Sequence, residues 1–71
     1  MLTETQRDLY YVINDFIKDN GYSPTFRELC ELTFRSSPAT VMYLLKEMKK
    51  KGYVDWHPKR KRTLRVLKEL A

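Results

Sequence analysis

Two groups of side chains in this chain of 71 residues have the types and spacing to do chemistry, and in both the chemistry is recognition. The first is Lys59-Arg60-Lys61-Arg62, four cations in a row. Adjacent like charges repel one another and do nothing for a fold, so such a run points to an outside polyanion. The second is the outer face of a helical segment whose other side is apolar, Ala39, Thr40, Tyr43, Lys46, Glu47 and Lys50, with Met42 beside it. Thr40 and Tyr43 can hydrogen-bond base edges or phosphates, and Ala39 and Met42 can touch a thymine methyl. Met42 reads equally well as peripheral core beside Val41. Lys46 and the run Lys49-Lys50-Lys51 read equally as solvated helix charge or as phosphate contacts.

Bond-making chemistry lacks its parts. His57 is the only histidine and has no carboxylate or second histidine at ligand spacing, so no metal site is expected. It is expected to flank the basic run. No Gly-rich turn presents a serine near it. Gly21 and Gly52 read as helix stops rather than a phosphate loop. The lone Cys30 shares a helical stripe with Phe26, Leu29 and Thr33, and reads as a small buried residue rather than a nucleophile. A single cysteine also suits a reducing cytoplasm. We expect no enzyme, no cofactor and no small-molecule ligand.

Size and charge set the frame. The whole of 1–71 reads as one small domain, and such a chain buries only about 60% of its unfolded surface. Its hydrophobic content of 42% is too high for a disordered tail. No apolar run is long enough to span a membrane, and the first residues lack a signal-peptide pattern, so a cytoplasmic, nucleoid-associated location is expected. The net charge is +5 and it is unevenly spread. Residues 1–45 hold four cations and six carboxylates, net −2, whereas residues 46–71 hold ten cations and three carboxylates, net +7. That asymmetry is the footprint of a polyanion partner on the C-terminal part.

The elements that must position these groups are marked in the pattern. Thr3 and Gln6 have capping-box spacing ahead of Leu9, Val12, Ile13, Phe16 and Ile17, with Tyr10 widening the stripe, so a first helix is predicted over about 4–20. Asn20-Gly21 ends it, and Tyr22-Ser23-Pro24 is extended. Thr25 and Glu28 form a second box. It opens a helix from Phe26 to about Leu32 or Thr33, with Phe26, Leu29 and Leu32 inward. Phe34-Arg35-Ser36 is a short turn, and two helices so joined are the helix-turn-helix signature. Ser37 as N-cap, Pro38 at the first position and Gly52 past the end bound a third helix over about 38–51. Its stripe is Val41, Leu44, Leu45 and Met48. Beyond Gly52 the period falls to two in Tyr53–His57 and again in Thr63–Val66, with Val54 and Trp56 on one face. Trp56 is expected to cap the core edge under the third helix. The link at 58–62 makes a hairpin, so the predicted fold is mainly α with a small β-hairpin, a three-helix winged helix-turn-helix. Residues 68–71 read as a frayed end or the start of a linker.

The ordered set Thr3-x-x-Gln6, Asn20-Gly21-Tyr22-x-Pro24, Arg27-Glu28-Leu29, Ser36-Ser37-Pro38-x-Thr40-Val41, Leu45-Lys46 and Lys51-Gly52-Tyr53-Val54, followed by Pro58, Arg62, Leu64 and Val66, resembles the DNA-binding domain of the LexA repressor family. The resemblance implies a third helix in the major groove and a wing on the phosphate backbone. Groove-facing positions would be Ser37, Ala39, Thr40, Met42 and Tyr43, joined by Lys46. Lys59, Arg60, Lys61 and Arg62 would meet phosphates, and Thr25, Arg27, Arg35 and Ser36 would contribute from the second helix and the turn. Phe34 stands where the family usually has glycine, and Arg35 where it has an apolar residue. Ala39, Met42 and Tyr43 fall at positions that are often polar. The self-cleaving Ser/Lys protease half of the family is absent, so self-cleavage is not expected, and the stretch reads as an excised domain or a short bacterial or phage regulator.

Two functions of different class follow. One is sequence-specific binding of double-stranded DNA as a transcriptional repressor, with a second copy on a palindromic site. The other is a winged helix turned to protein binding, an inhibitor or adaptor that uses the exposed Met42 and Tyr43. The basic wing favours the first.

Overall fold

The computed structural model describes residues 2–33 and 37–69. Phe34, Arg35 and Ser36, which carry the expected turn and two candidate contacts, lie outside the described residues, as do Leu70 and Ala71 of the expected frayed end.

Local side-chain chemistry starts each helix. α1 spans Glu4–Asn20. The Thr3 hydroxyl accepts the Gln6 N–H at 3.2 Å, and Gln6 Oε1 accepts the Thr3 N–H at 3.1 Å. α2 spans Phe26–Leu32 and opens the same way. There Thr25 Oγ1 accepts the Glu28 N–H at 3.1 Å and Glu28 Oε1 accepts the Thr25 N–H at 2.8 Å. These pairs satisfy amides that a helix start leaves without partners. α3 spans Pro38–Lys50, with Ser37 capping the Thr40 N–H at 3.2 Å and Pro38 at the first position. It closes on Gly52 at φ 82°. The Gly52 N–H donates to the Lys49 carbonyl and the Tyr53 N–H to the Met48 carbonyl, both at 3.0 Å, which is the two-bond Schellman closure.

The α3 stripe Val41, Leu44, Leu45 and Met48 is buried against Leu9, Tyr10 and Ile13 of α1 and Leu29 of α2. Leu2, Val54 and Leu64 complete the same core. A two-stranded antiparallel sheet closes the C-terminal side, β1 Val54–Asp55 against β2 Arg65–Val66, with Val54 opposite Val66 and Asp55 opposite Arg65. Among the described residues no helix is long and apolar enough to cross a membrane.

The packing differs from expectation at three points. Of the α2 residues expected inward, only Leu29 is buried, whereas Phe26 and Leu32 are 37% and 44% exposed. Steps of three residues drift around a helix, leaving positions 26 and 32 roughly 120° apart with Leu29 between them. On a helix of seven residues, Leu29 takes the core and its neighbours fall at the rims. Cys30 is half-buried at the core edge rather than enclosed. The strands are two residues each rather than four or five. A side chain takes the amide that would have lengthened the ladder at its open end: the His57 N–H, opposite Thr63 in this register, donates to Thr63 Oγ1 at 2.8 Å instead of to a backbone carbonyl. Trp56 is half-buried against the core, as expected.

Candidate nucleic-acid interface

α3 presents Ala39, Thr40, Tyr43 and Lys46 to solvent because its other side is fully used by the core. Tyr43 is the most open of the large hydrophobic side chains among the described residues, 62% exposed. Ser37 Oγ and Thr40 Oγ1 lie 2.9 Å apart at the helix start. Ser37 Oγ also accepts the Thr40 N–H, so its own proton is available to Thr40 Oγ1. In that arrangement the Thr40 hydroxyl keeps a proton to donate outward. Met42 is half-buried and borders a cavity of about 340 Å³ between the start of α2, the middle of α3 and the wing. Leu29, Leu45, Trp56 and Leu64 form apolar walls of that cavity.

The wing, residues 58–62, is folded around His57 and Thr63. The Arg60 N–H donates to the His57 carbonyl at 3.2 Å and the Lys59 N–H to His57 Nδ1 at 3.2 Å. Thr63 Oγ1 is placed to donate to the carbonyls of Arg60 at 3.1 Å and His57 at 3.3 Å. His57 therefore organises the base of the wing. Among the described residues no three His, Cys, Asp or Glu side chains gather into a metal site.

The four wing cations divide. Lys59, Arg60 and Lys61 are exposed, and no hydrogen bond or ion pair engages their side chains among the described residues. Arg62 does otherwise, which corrects the expectation that the run does nothing for the fold. Its guanidinium makes a two-pronged bond to Glu28, Nη1 to Oε1 at 2.8 Å and Nη2 to Oε2 at 3.1 Å. Nη1 also donates to the Ser23 carbonyl at 3.2 Å. The group lies over the Tyr22 ring, 4.7 Å from its centroid. Arg62 also holds φ at 56°. That left-handed region costs a residue with a side chain roughly 1–2 kcal/mol. The Thr25 N–H, and then the Arg62 guanidinium, hold the Glu28 carboxyl below the ordinary glutamate range.

Of the helix cations that could have been read either way, Lys49, Lys50 and Lys51 have partners inside the protein, whereas Lys46 is exposed and has none among the described residues. Lys49 Nζ lies 3.4 Å from Asp55 and 4.8 Å from the centre of the Trp56 ring. Lys50 pairs with Glu47 at 3.5 Å, and Lys51 Nζ donates to Gln6 Oε1 at 2.7 Å. Arg65 lies 3.7 Å from Asp55, and Lys68 lies 5.1 Å from the centre of the Tyr53 ring. The Trp56 N–H, and then Lys49, lower the Asp55 carboxyl below its ordinary range. Of the second-helix candidates, Arg27 is exposed, whereas Thr25 is half-buried with its hydroxyl taken up as a helix cap. Sequence reasoning missed Glu28 and Tyr22 as partners of the wing. No local pattern could have shown them, because the Arg62–Glu28 pair spans 34 positions.

The family model described as the LexA DNA binding domain matches residues 1–63. Among curated proteins, a LexA repressor of Carboxydothermus hydrogenoformans is 35% identical over 71 residues, covering 100% of this chain and 35% of the relative. One from Desulfatibacillum aliphaticivorans is 40% identical over 67 residues, 94% of this chain and 33% of the relative. The transcription regulator LexA of Synechocystis is 33% identical over 66 residues, 93% of this chain and 32% of the relative. The chain thus spans about a third of the length of these curated relatives.

Proposed function

The chain belongs to the LexA DNA binding domain family, and from that membership we propose that it binds double-stranded DNA sequence-specifically and represses transcription. α3 enters the major groove with Ser37, Ala39, Thr40, Met42, Tyr43 and Lys46 toward the bases. The wing lies on the phosphates through Lys59, Arg60 and Lys61. Arg27, Arg35 and Ser36 add flanking backbone contacts, and a second copy occupies the other half of a palindromic site.

One observation carries this reading, the division of the ten cations of the basic part, residues 46–69, into two populations. Outside that part Arg7, Lys18 and Arg27 are also exposed without a partner among the described residues. Lys49, Lys50, Lys51, Arg62, Arg65 and Lys68 each have a carboxylate, an amide oxygen or an aromatic ring to hold them. Lys46, Lys59, Arg60 and Lys61 have none among the described residues, and they are the cations placed on the outer helix face and the wing tip. A cation already engaged with the protein must give up that contact to reach phosphate, whereas one left in solvent need not.

The test is fluorescence anisotropy of labelled duplexes over a range of salt. Removing one cation from a phosphate reduces the log–log salt slope by about 0.9. Replacing Arg60 and Lys61 by Gln should weaken binding to all duplexes alike and flatten the slope by roughly 1–2 units. Thr40→Ala or Tyr43→Ala should leave the slope in place and narrow the gap between preferred and random sequence by about 1–3 kcal/mol. A wild-type chain without sequence preference at any salt, with wing variants that bind as well as the wild type, would move the reading to a protein partner at Tyr43.

A further inference from the structure

We propose that Glu28 is a positioning residue for the wing: by clamping Arg62 it sets the angle at which Lys59, Arg60 and Lys61 meet the phosphates. The proposal rests on the DNA-binding reading above and deepens it. Among the described residues the wing is otherwise held by a ladder of two residues on each strand, by the His57 and Thr63 bonds at its base and by Leu64 in the core, and a ladder that short does little to fix the direction of a hairpin tip. Arg62 supplies a further anchor from the far side of the loop. Its guanidinium reaches Glu28 with both nitrogens, the Ser23 carbonyl with one, and the Tyr22 ring with its face. All three partners lie in the α1–α2 link or in α2, so the wing is tied to the helix-turn-helix itself.

The backbone supports the same assignment. Arg62 occupies a left-handed conformation at φ 56° that glycine or asparagine would take more readily. Such a conformation persists where the surroundings over-determine it. Here the surroundings are the clamp, so the residue is present for its side chain. Glu28 meanwhile serves two ends with one carboxylate, since Oε1 accepts both the Thr25 N–H and Arg62 Nη1. Glutamine can keep the first bond and cannot keep the charge-assisted fork.

This sets positioning against plain electrostatics with opposite signs. Glu28→Gln removes a negative charge and frees a cation, so a purely coulombic wing would bind DNA more tightly and with a steeper salt slope. A clamped wing would bind more weakly, because the competent pose becomes a fraction of the ensemble. A pose populated a third to a tenth of the time weakens binding by about 3–10-fold. Arg62→Gly should weaken it by a similar factor while relieving the backbone. Its salt slope should stay at the wild-type value, because Arg62 is engaged with Glu28 rather than with phosphate. The double variant should be no worse than either single one, as expected for two residues acting through one contact.

The experiment is salt-dependent anisotropy on the 71-residue chain and these three variants, with hydrogen exchange of the His57, Lys59 and Arg60 amides on the free protein. The expected result is weaker binding at unchanged slope, with faster exchange at those amides in Glu28→Gln. Tighter binding by Glu28→Gln, or a slope flattened by about one unit in Arg62→Gly, would overturn the clamp. If the wild type binds no duplex, the parent reading fails and exchange alone decides: amides as protected in Glu28→Gln as in the wild type overturn the clamp, and faster exchange supports it.

Discussion

Leu45 and Tyr43 sit two positions apart on α3 and should respond to truncation in opposite ways. Leu45 is 3% exposed at the centre of the shared core, so Leu45→Ala should cost about 2–5 kcal/mol, the loss of a buried side chain plus the void it leaves. Tyr43 stands in solvent, and Tyr43→Ala should change stability by no more than about 0.5 kcal/mol. Thermal melts of the two variants check this, and equal losses would mean that the helix faces have been exchanged. Both roles were legible in the sequence, because a period of 3.6 across thirteen residues assigns each position a side. The role of Arg62 was not. Charge runs are read locally, and locally Arg62 is the fourth of four repelling cations. Its partners at Tyr22, Ser23 and Glu28 arrive only through the tertiary fold. Phe26 and Leu32 failed for a different reason. A stripe counted in threes drifts off the buried side, and on a helix as short as α2 the drift leaves room for a single core residue.

At the scale of the element, the helix ends were legible because their chemistry closes within three to five residues. The two capping boxes and the Gly52 stop each involve partners that are neighbours in sequence. Strand lengths were not, because alternation cannot show that the Thr63 hydroxyl takes the His57 N–H from the ladder. The Gly52 closure makes a sharp prediction. An added Cβ there would meet nothing within 4 Å, so only the backbone at φ 82° opposes a side chain. Gly52→Ala should cost about 1–2 kcal/mol, the penalty for placing an L-residue in the left-handed region. Gly52→Asn should cost less, since asparagine enters that region more readily. Urea melts of the two variants measure the difference. If Gly52→Ala is as stable as the wild type, the closing turn contributes nothing and α3 is held by its core stripe alone.

For the whole molecule, the opposite charges of its two parts join at the wing. The acidic N-terminal part supplies Glu28 to Arg62, while within the basic part Asp55 faces Arg65 across the small sheet and Lys49 in the last turn of α3. Both carboxyls are held below their ordinary ranges, first by a backbone amide and then by a cation. The folded state therefore binds fewer protons in acid than the unfolded chain, and stability falls as pH falls. The contribution of these two groups is fully present above the unfolded carboxylate values of about 4 and is lost as pH drops through the lower folded ones. Melting temperature followed by circular dichroism should hold level from neutral pH to about 5 and fall below about 4. A chain carrying Glu28→Gln and Asp55→Asn keeps an acceptor for the Thr25 and Trp56 amides but has nothing left to protonate at either place. It should start less stable at neutral pH and lose less on acidification, so that the two curves converge in acid. Parallel curves would mean that the acid response arises elsewhere and that neither carboxylate fastens the wing and sheet to the helices.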